Sequence, residues 1–364
     1  MMKRREFIKP EFIKPMGGVD GPAALSTSHR DQGVTNMRKI AITSVVLAAF
    51  GVFALPPSPA HAVNYETWVS GTGSDTSNTC GSQATPCREI HTALTNTVSG
   101  GTIHVLSGEY HAFTVNQPIS IIADQGSASI TNSNLTVGNI AAIYINAPPS
   151  AVVLIRGITV NQADFGNVGI AFNSGAALDL ENCTLSGSGF FASASLYFAP
   201  TTAASGGVPA ELTVRNCDMT DNSSGNVLIR PSNGVAVAAL IENTLMAKGL
   251  YGIKADDSAG SGMIRVDVKY STAKGNTNNG FLAVGTGAGP VHFMIDHSTA
   301  ENNGVYGAVA TGANAFMIVT NSTLMGNGTG LAQLSGATVA STGTNTINFN
   351  TTNTSGAITP ITPK

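Results

Sequence analysis

The sequence predicts an all-β fold: a right-handed parallel β-helix whose coils stack on one another behind a short N-terminal capping helix. Three observations predict it. A segment made of a short apolar strand, a polar turn residue, a Ser/Thr-rich step and a Gly/Asn-rich corner recurs seven times in the 364-residue chain. Within those segments two columns of alternate residues are apolar throughout, the period of two that a strand imposes. The chain is 42% apolar although only 6% aromatic and rich in Gly, Ser, Thr and Asn, and periodic apolar content of that size argues against disorder.

In chain order, the first element stands outside the fold. Met37, Arg38 and Lys39 precede an apolar run from Ile40 to Leu55, which leads through prolines to Ala60-His61-Ala62. A charged start, an apolar stretch and a small-x-small site mark residues 37–62 as a secretory signal peptide. The run falls short of the ~20 apolar residues that a membrane span needs, so no span is expected after signal removal. Residues 1–36 carry a near-tandem Glu6–Pro10 and Glu11–Pro15. They read as a wrongly extended start, with translation beginning at Met37. From Val63 onward 10 Lys and Arg face 17 Asp and Glu, a net charge of −7. Nucleic acid and anionic membrane are poor partners for such a chain, since both require clustered positive charge.

Residues 63–150 read as a cap and the first coils. Trp68 to Asp75 is a strand entering a turn, and Cys80 to Cys87 a small disulfide loop. The four cysteines form an even set in a chain bound for an oxidising compartment, which favours bridging. Arg88 to Val98 places Ile90, Ala93, Leu94 and Val98 at helical spacing. A helix there would cover the open end of the first coil, and Gly100-Gly101 would end it. Strands follow at Ile103 and Val105, then at Ile119 and Ile121.

Residues 151–338 hold the regular coils, with turn residues at Gly157, Asn182, Asn216, Glu242, Tyr270, His297 and Asn321. Two positions before each turn stand Ile155, Leu180, Val214, Leu240, Val268, Ile295 and Val319. Four before stand Val153, Leu178, Leu212, Ala238, Val266, Phe293 and Met317. Three after stand Val160, Leu185, Met219, Leu245, Ala273, Ala300 and Leu324. One coil cannot bury such a face alone, but stacked coils share a continuous core. The column before the turn points outward: Arg156, Glu181, Arg215, Ile241, Lys269, Asp296 and Thr320. Its charges alternate in sign wherever they are adjacent, which suits neighbours on successive coils. Asparagines at the turns are expected to bond to their neighbours and to the bend. The longest repeat contains an extra segment from Phe190 to Gly207, read as a loop thrown out from its coil. Cys183 and Cys217 occupy one column on adjacent coils, so a Cys183–Cys217 bridge is expected, with a stacked thiol pair as the rival. Residues 339–364 read as a last partial coil and a loose tail.

The order Tyr65-x-x-Trp68-Val69-Ser70-Gly71-x-Gly73-Ser74-Asp75, then Thr85-Pro86-Cys87-Arg88-x-Ile90-x-x-Ala93-Leu94, then Gly101-Thr102-Ile103-x-Val105-x-x-Gly108-x-Tyr110, resembles the opening of exported pectin-lyase-like parallel β-helix proteins. The Asn-Cys-Thr-Leu and Asn-Ser-Thr-Leu steps at 182–185 and 321–324 are similar to that superfamily's coils. The resemblance spans nearly all of the chain after the signal. It implies the fold, while lyases, glycosidases, esterases and adhesins share the scaffold, so it does not imply one activity.

An enzyme on this scaffold would work on a polysaccharide lying along one outer face. A lyase needs acids on adjacent coils to hold calcium, and an Arg or Lys as base. A hydrolase needs two or three carboxylates at matched separations. The strand after the Gly-rich corner, near Ile170, Leu228, Ile253, Phe281, Ala308 and Leu331, offers Arg230, Lys254, Asp256 and Asp257 as a ligand-contact patch. A second constellation, Lys269, Asp296 and His297 with Asp267 nearby, has the makings of an acid–base site. Its competing reading is a turn histidine beside a cross-coil ion pair. His104, Glu109 and His111 read as cap residues, and Gly285 to Gly289 as a corner. No Cys/His spacing suggests a metal. The expected function is therefore an exported glycan- or cell-envelope-binding rod, periplasmic or extracellular, without a cofactor. The alternative is a polysaccharide lyase or glycoside hydrolase on a pectin-like polymer, with calcium entering only for the lyase.

Overall fold

The computed structural model describes residues 64–362, apart from 124, 132–140, 162–167 and 188–193. The expected signal and the stretch before it lie outside the described residues. Among the described residues the strands form three all-parallel sheets of twelve, ten and ten strands. Each coil visits them in turn. One coil runs through Ile264–Lys269 in the first sheet, Thr272–Lys274 in the second and Asn279–Val284 in the third. It then enters the first sheet again at Val291–Asp296. The result is the expected right-handed parallel β-helix, with one short α-helix among the described residues.

The inward columns are as the periodicity predicts, except in one coil. Val214 pairs with Ile241 and Leu212 with Ala239, so Ile241 and Ala239 point inward in place of Leu240 and Ala238. Asn243 is therefore the turn residue, not Glu242, and Met246 rather than Leu245 fills the third column. The run Ala238-Ala239-Leu240-Ile241 is apolar at every position and offers no alternation to set its register. In this register the outward charge column reads Arg156, Glu181, Arg215, Glu242, Lys269 and Asp296. Arg215 lies 3.3 Å from Glu242 and 3.8 Å from Glu181. In the third sheet Val227, not Leu228, aligns with Ile170 and Ile253.

Each of the three corners is held differently. At the first, Gly157, Asn182, Asn216, Asn243, Tyr270, His297 and Asn321 all have φ between 48° and 74°. That left-handed region suits Gly and Asn, which explains their recurrence. Asn243 donates to Asn216 Oδ1 at 2.6 Å, the expected neighbour bond. One residue further on, the N–H groups of Cys183, Thr244, Ser271 and Ser298 donate to the sulfur or hydroxyl of the next coil, at 3.1–3.4 Å. Each of those hydroxyls and thiols bonds in turn to a carbonyl two residues back in its own coil.

Cys183 and Cys217 are thus two steps of a ladder that serine and threonine continue. They are buried free thiols, not a disulfide, which corrects the expected bridge. Both sulfurs bond to the corner backbone as well as meeting each other. Contact with Cys183 and burial push the Cys217 thiol up, which keeps it protonated.

The second corner carries a ladder that the periodicity did not reveal. Asn276, Asn303, Asn327 and Asn350 stack, each side chain donating at 2.9 Å to the Oδ1 of the next. The same amides donate to the carbonyls of Met246, Ala273, Ala300 and Leu324. The third corner holds loops of varied length. The segment expected as one loop between Phe190 and Gly207 instead contributes the strand Leu196–Phe198 to the third sheet, with Leu196 and Phe198 fully buried. The excess length falls on both sides of that strand; residues 190–193 of the expected loop lie outside the described residues.

At the start, Cys80 and Cys87 are bridged. The capping helix covers Ile90–Asn96, with Ile90, Ala93 and Leu94 buried. It ends sooner than expected, because Gly100-Gly101 lies inside the strand Thr97–Val105. His104 stacks on Trp68, with ring centroids 5.0 Å apart. His111 bonds to Glu89, and the Glu109 carbonyl accepts from Arg88, so these are cap residues as read. At the other end the expected tail forms a further coil, with strands at Thr338–Thr342, Thr346–Asn348, Thr352–Ser355 and Ile358–Ile361.

Candidate functional site

The outer face of the first sheet, across Ile264–Lys269, Val291–Asp296 and Ala315–Thr320, gathers the most varied chemistry among the described residues. Three outward rows cross these strands. The first reads Arg265, His292, Phe316; the second Asp267, Met294, Ile318; the third Lys269, Asp296, Thr320. An open groove of about 280 Å³ lies over the first two rows, lined by Arg265, Asp267, His292, Met294, Phe316 and Ile318. Phe316 is 41% exposed and Ile318 42%, large values for apolar side chains on a sheet. The His292 ring meets Phe316 edge-on at 5.3 Å. An apolar floor with charged and hydrogen-bonding groups along one side matches both the C–H faces and the hydroxyl edges of a sugar ring.

The third row leads to the first corner. His297 donates from Nδ1 to Asp296 Oδ1 at 2.8 Å, and the Asn321 amide donates to the same oxygen at 3.1 Å. Burial acts to raise the Asp296 pKa, but these two bonds, with the charges of His297 and Lys269, outweigh it and hold the carboxyl below its usual range. Asp296 is therefore an ionised anchor for His297. The adjoining hydroxyl, Ser298, is buried and spent on the Asp296 carbonyl, so it offers no nucleophile to this pair. Tyr270 lies against His297, centroids 5.1 Å apart, and is 58% exposed. It also borders a second open groove of about 360 Å³, beside Asn216, Asp218, Asn243 and Thr272. Tyr270 holds φ at 50° where every other coil but that of His297 uses Asn or Gly, a conformation costing a bulky side chain about 1 kcal/mol.

The residues expected as a ligand patch lie on the outer face of the third sheet. Lys254 Nζ is 2.7 Å from Asp256 Oδ2, and Arg230 Nε is 3.9 Å from the same atom. Burial would raise the Asp256 pKa, but its bonds to Lys254 and Ser258 lower it below the ordinary carboxylate value. Asp257 departs from the expectation. It is fully buried, and its Oδ1 accepts from the Thr286 and Gly287 amides at 2.8 and 2.7 Å. It braces the corner of the next coil, where Gly287 is needed because a Cβ would strike the Asp257 carbonyl.

Arg265, His292, Phe316, Ile318 and Tyr270 were not singled out from sequence. The signal lay in the register: once Phe293 and Met317 are inward, Phe316 and Ile318 must face out, and apolar residues in an outward row mark a surface patch. Among the described residues no three His, Cys, Asp or Glu side chains stand close enough to hold a metal ion.

A family model described as a right-handed β-helix region matches residues 119–293. Among solved structures, a rhamnogalacturonan lyase is 12% identical, covering 76% of this chain and 75% of its own, with a TM-score of 0.52. The pectate lyase Pel9A is 14% identical, covering 84% and 80%, with a TM-score of 0.45. No curated protein sequence matches the chain significantly. With its three parallel sheets, its stacked corners and the match over residues 119–293, the chain folds as a right-handed parallel β-helix, the fold it shares with the rhamnogalacturonan lyase.

Proposed function

We propose that the protein is an exported glycan-binding β-helix that holds an extended polysaccharide across the outer face of its first sheet. The observation that carries this reading is the groove around Phe316, Ile318 and Met294, bordered by Arg265, Asp267 and His292. Successive coils repeat at roughly 4.8 Å, so a polymer crossing several strands meets a series of equivalent rows. The strained, exposed Tyr270 at the corner supports the same reading, since strain persists where a side chain has a use. Export, to the periplasm or beyond, is supported by the signal-like segment at 37–62 and by the Cys80–Cys87 disulfide.

The second reading, a polysaccharide lyase or glycoside hydrolase, is favoured by the fold shared with a rhamnogalacturonan lyase. Affinity electrophoresis of the mature protein through gels containing different polysaccharides, with and without calcium, separates the two. Retardation without loss of polysaccharide is the expected result. Cleared zones would establish catalysis in its place, and unsaturated ends would then distinguish a lyase from a hydrolase.

A further inference from the structure

We propose that Arg230 and Lys254, on the outer face of the third sheet, form a binding site for an oxyanion: a carboxylate, sulfate or phosphate group. The arrangement centres on Asp256, which is 3% exposed. Its Oδ2 faces Lys254 Nζ and Arg230 Nε, while its Oδ1 accepts from the Ser258 amide at 2.9 Å. Arg230 is tied down a second time, through a 3.3 Å bond to Ser258 Oγ. One buried carboxylate therefore orients two cations whose side chains keep 43% and 27% of their surface.

On its outer side the cluster sets two cations against one carboxylate. Asp257, the next acid in sequence, is turned inward and occupied by the amides of Thr286 and Gly287. On the adjacent coils Lys254 is flanked by Leu228 and Leu282, and Asp256 by Val284, none of which carries charge. A local excess of positive charge in a chain whose exported part is net negative selects for an anionic group. The guanidinium fork matches planar or tetrahedral oxyanions. Because Asp256 and Ser258 fix both cations beforehand, little side-chain entropy is lost on binding. This face is not that of the proposed glycan groove, so the site stands or fails independently of that reading.

The test is calorimetric titration of the mature protein at low ionic strength with sodium sulfate, sodium phosphate and glucuronate, with glucose as the uncharged control. Oxyanions are expected to bind and glucose not to. Arg230→Gln and Lys254→Met should each weaken binding about tenfold, as expected for loss of one charge-assisted contact. Arg230→Lys should recover part of it, by keeping the charge without the fork. Lys274→Met, whose side chain pairs with Glu301 on the second sheet, should change nothing. Stronger binding of glucuronate would identify a sugar-borne carboxylate, and stronger binding of sulfate or phosphate a tetrahedral anion. The proposal is overturned if no oxyanion binds at up to about 10 mM, or if the folded Arg230 and Lys254 variants bind as the parent does.

Discussion

The outer faces of the first and third sheets are built on the same repeat and yet present different surfaces. On the first, around Arg265 to Ile318, charged and aromatic side chains stand apart above an apolar floor. On the third, the charges converge on one buried carboxylate, and along the row of Lys254 the next coils place a half-buried Leu282 and then the buried Val309 and Ala332. The difference lies in how the outward rows are filled, not in the backbone. Where a row mixes charge, ring and aliphatic group on successive coils, each charge lacks a close partner and stays available. Where Lys254 and Asp256 share one strand with Arg230 alongside, the charges first satisfy one another.

The largest expected effect removes both faces together. Asn303→Leu deprives the Asn276 amide and side chain, the Ala273 carbonyl and Asn327 of their partners in a buried corner. A loss of about 3 kcal/mol or more is expected in denaturant unfolding. An unchanged midpoint would mean that the Asn ladder does not hold the coils together.

Single faces should then be separable. Phe316→Ala is expected to reduce polysaccharide retardation about tenfold, about 1.4 kcal/mol. The melting temperature should barely move, because the ring is 41% exposed. Asp256→Asn should act the other way, costing about 1 kcal/mol of stability and leaving retardation intact. The depressed pKa of Asp256 fixes the pH dependence. Its stabilisation is fully present above the ordinary carboxylate value of about 4 and is lost as pH falls through the lower folded value. The stability gap between the parent and Asp256→Asn should thus be constant near neutrality and close in acid. A gap that widened in acid would contradict the assignment.

Smaller effects sharpen the contrast. Tyr270→Asn replaces a strained tyrosine by the residue that Asn216, Asn243 and Asn321 supply elsewhere in the column. Stability should rise by about 0.5–1 kcal/mol while retardation weakens, the signature of strain kept for binding. Cys183→Ser should change stability by only about 0.5 kcal/mol, since Ser271 and Ser298 make the same two bonds. Mass mapping without reduction should find the Cys80–Cys87 link alone, and a linked Cys183–Cys217 peptide would contradict the free thiols.

The fold was legible wherever burial enforced alternation. Ile155, Leu180, Val214, Val268, Ile295 and Val319 lie in one inward column, as their spacing requires. Legibility failed at Ala238–Ile241, where four apolar residues in a row hide the period, and at Leu196–Phe198, where a short strand followed a segment without a repeat signature. The site was legible only in part. The pairing of Lys254 with Asp256, and of Asp296 with His297, follows from neighbours in sequence. Phe316 and Tyr270 stayed hidden because their importance depends on exposure, which a column of residue types does not state. Asp257 was misplaced because a side chain at a corner can turn either way, and only the Thr286 and Gly287 amides decide it.

The most direct test of the central claim is one polysaccharide gel carrying the parent protein, Phe316→Ala and Leu282→Ala side by side. The parent and the third-sheet variant are expected to be retarded equally while Phe316→Ala runs almost freely. Equal retardation of all three, or loss confined to Leu282→Ala, would contradict a glycan-binding first sheet.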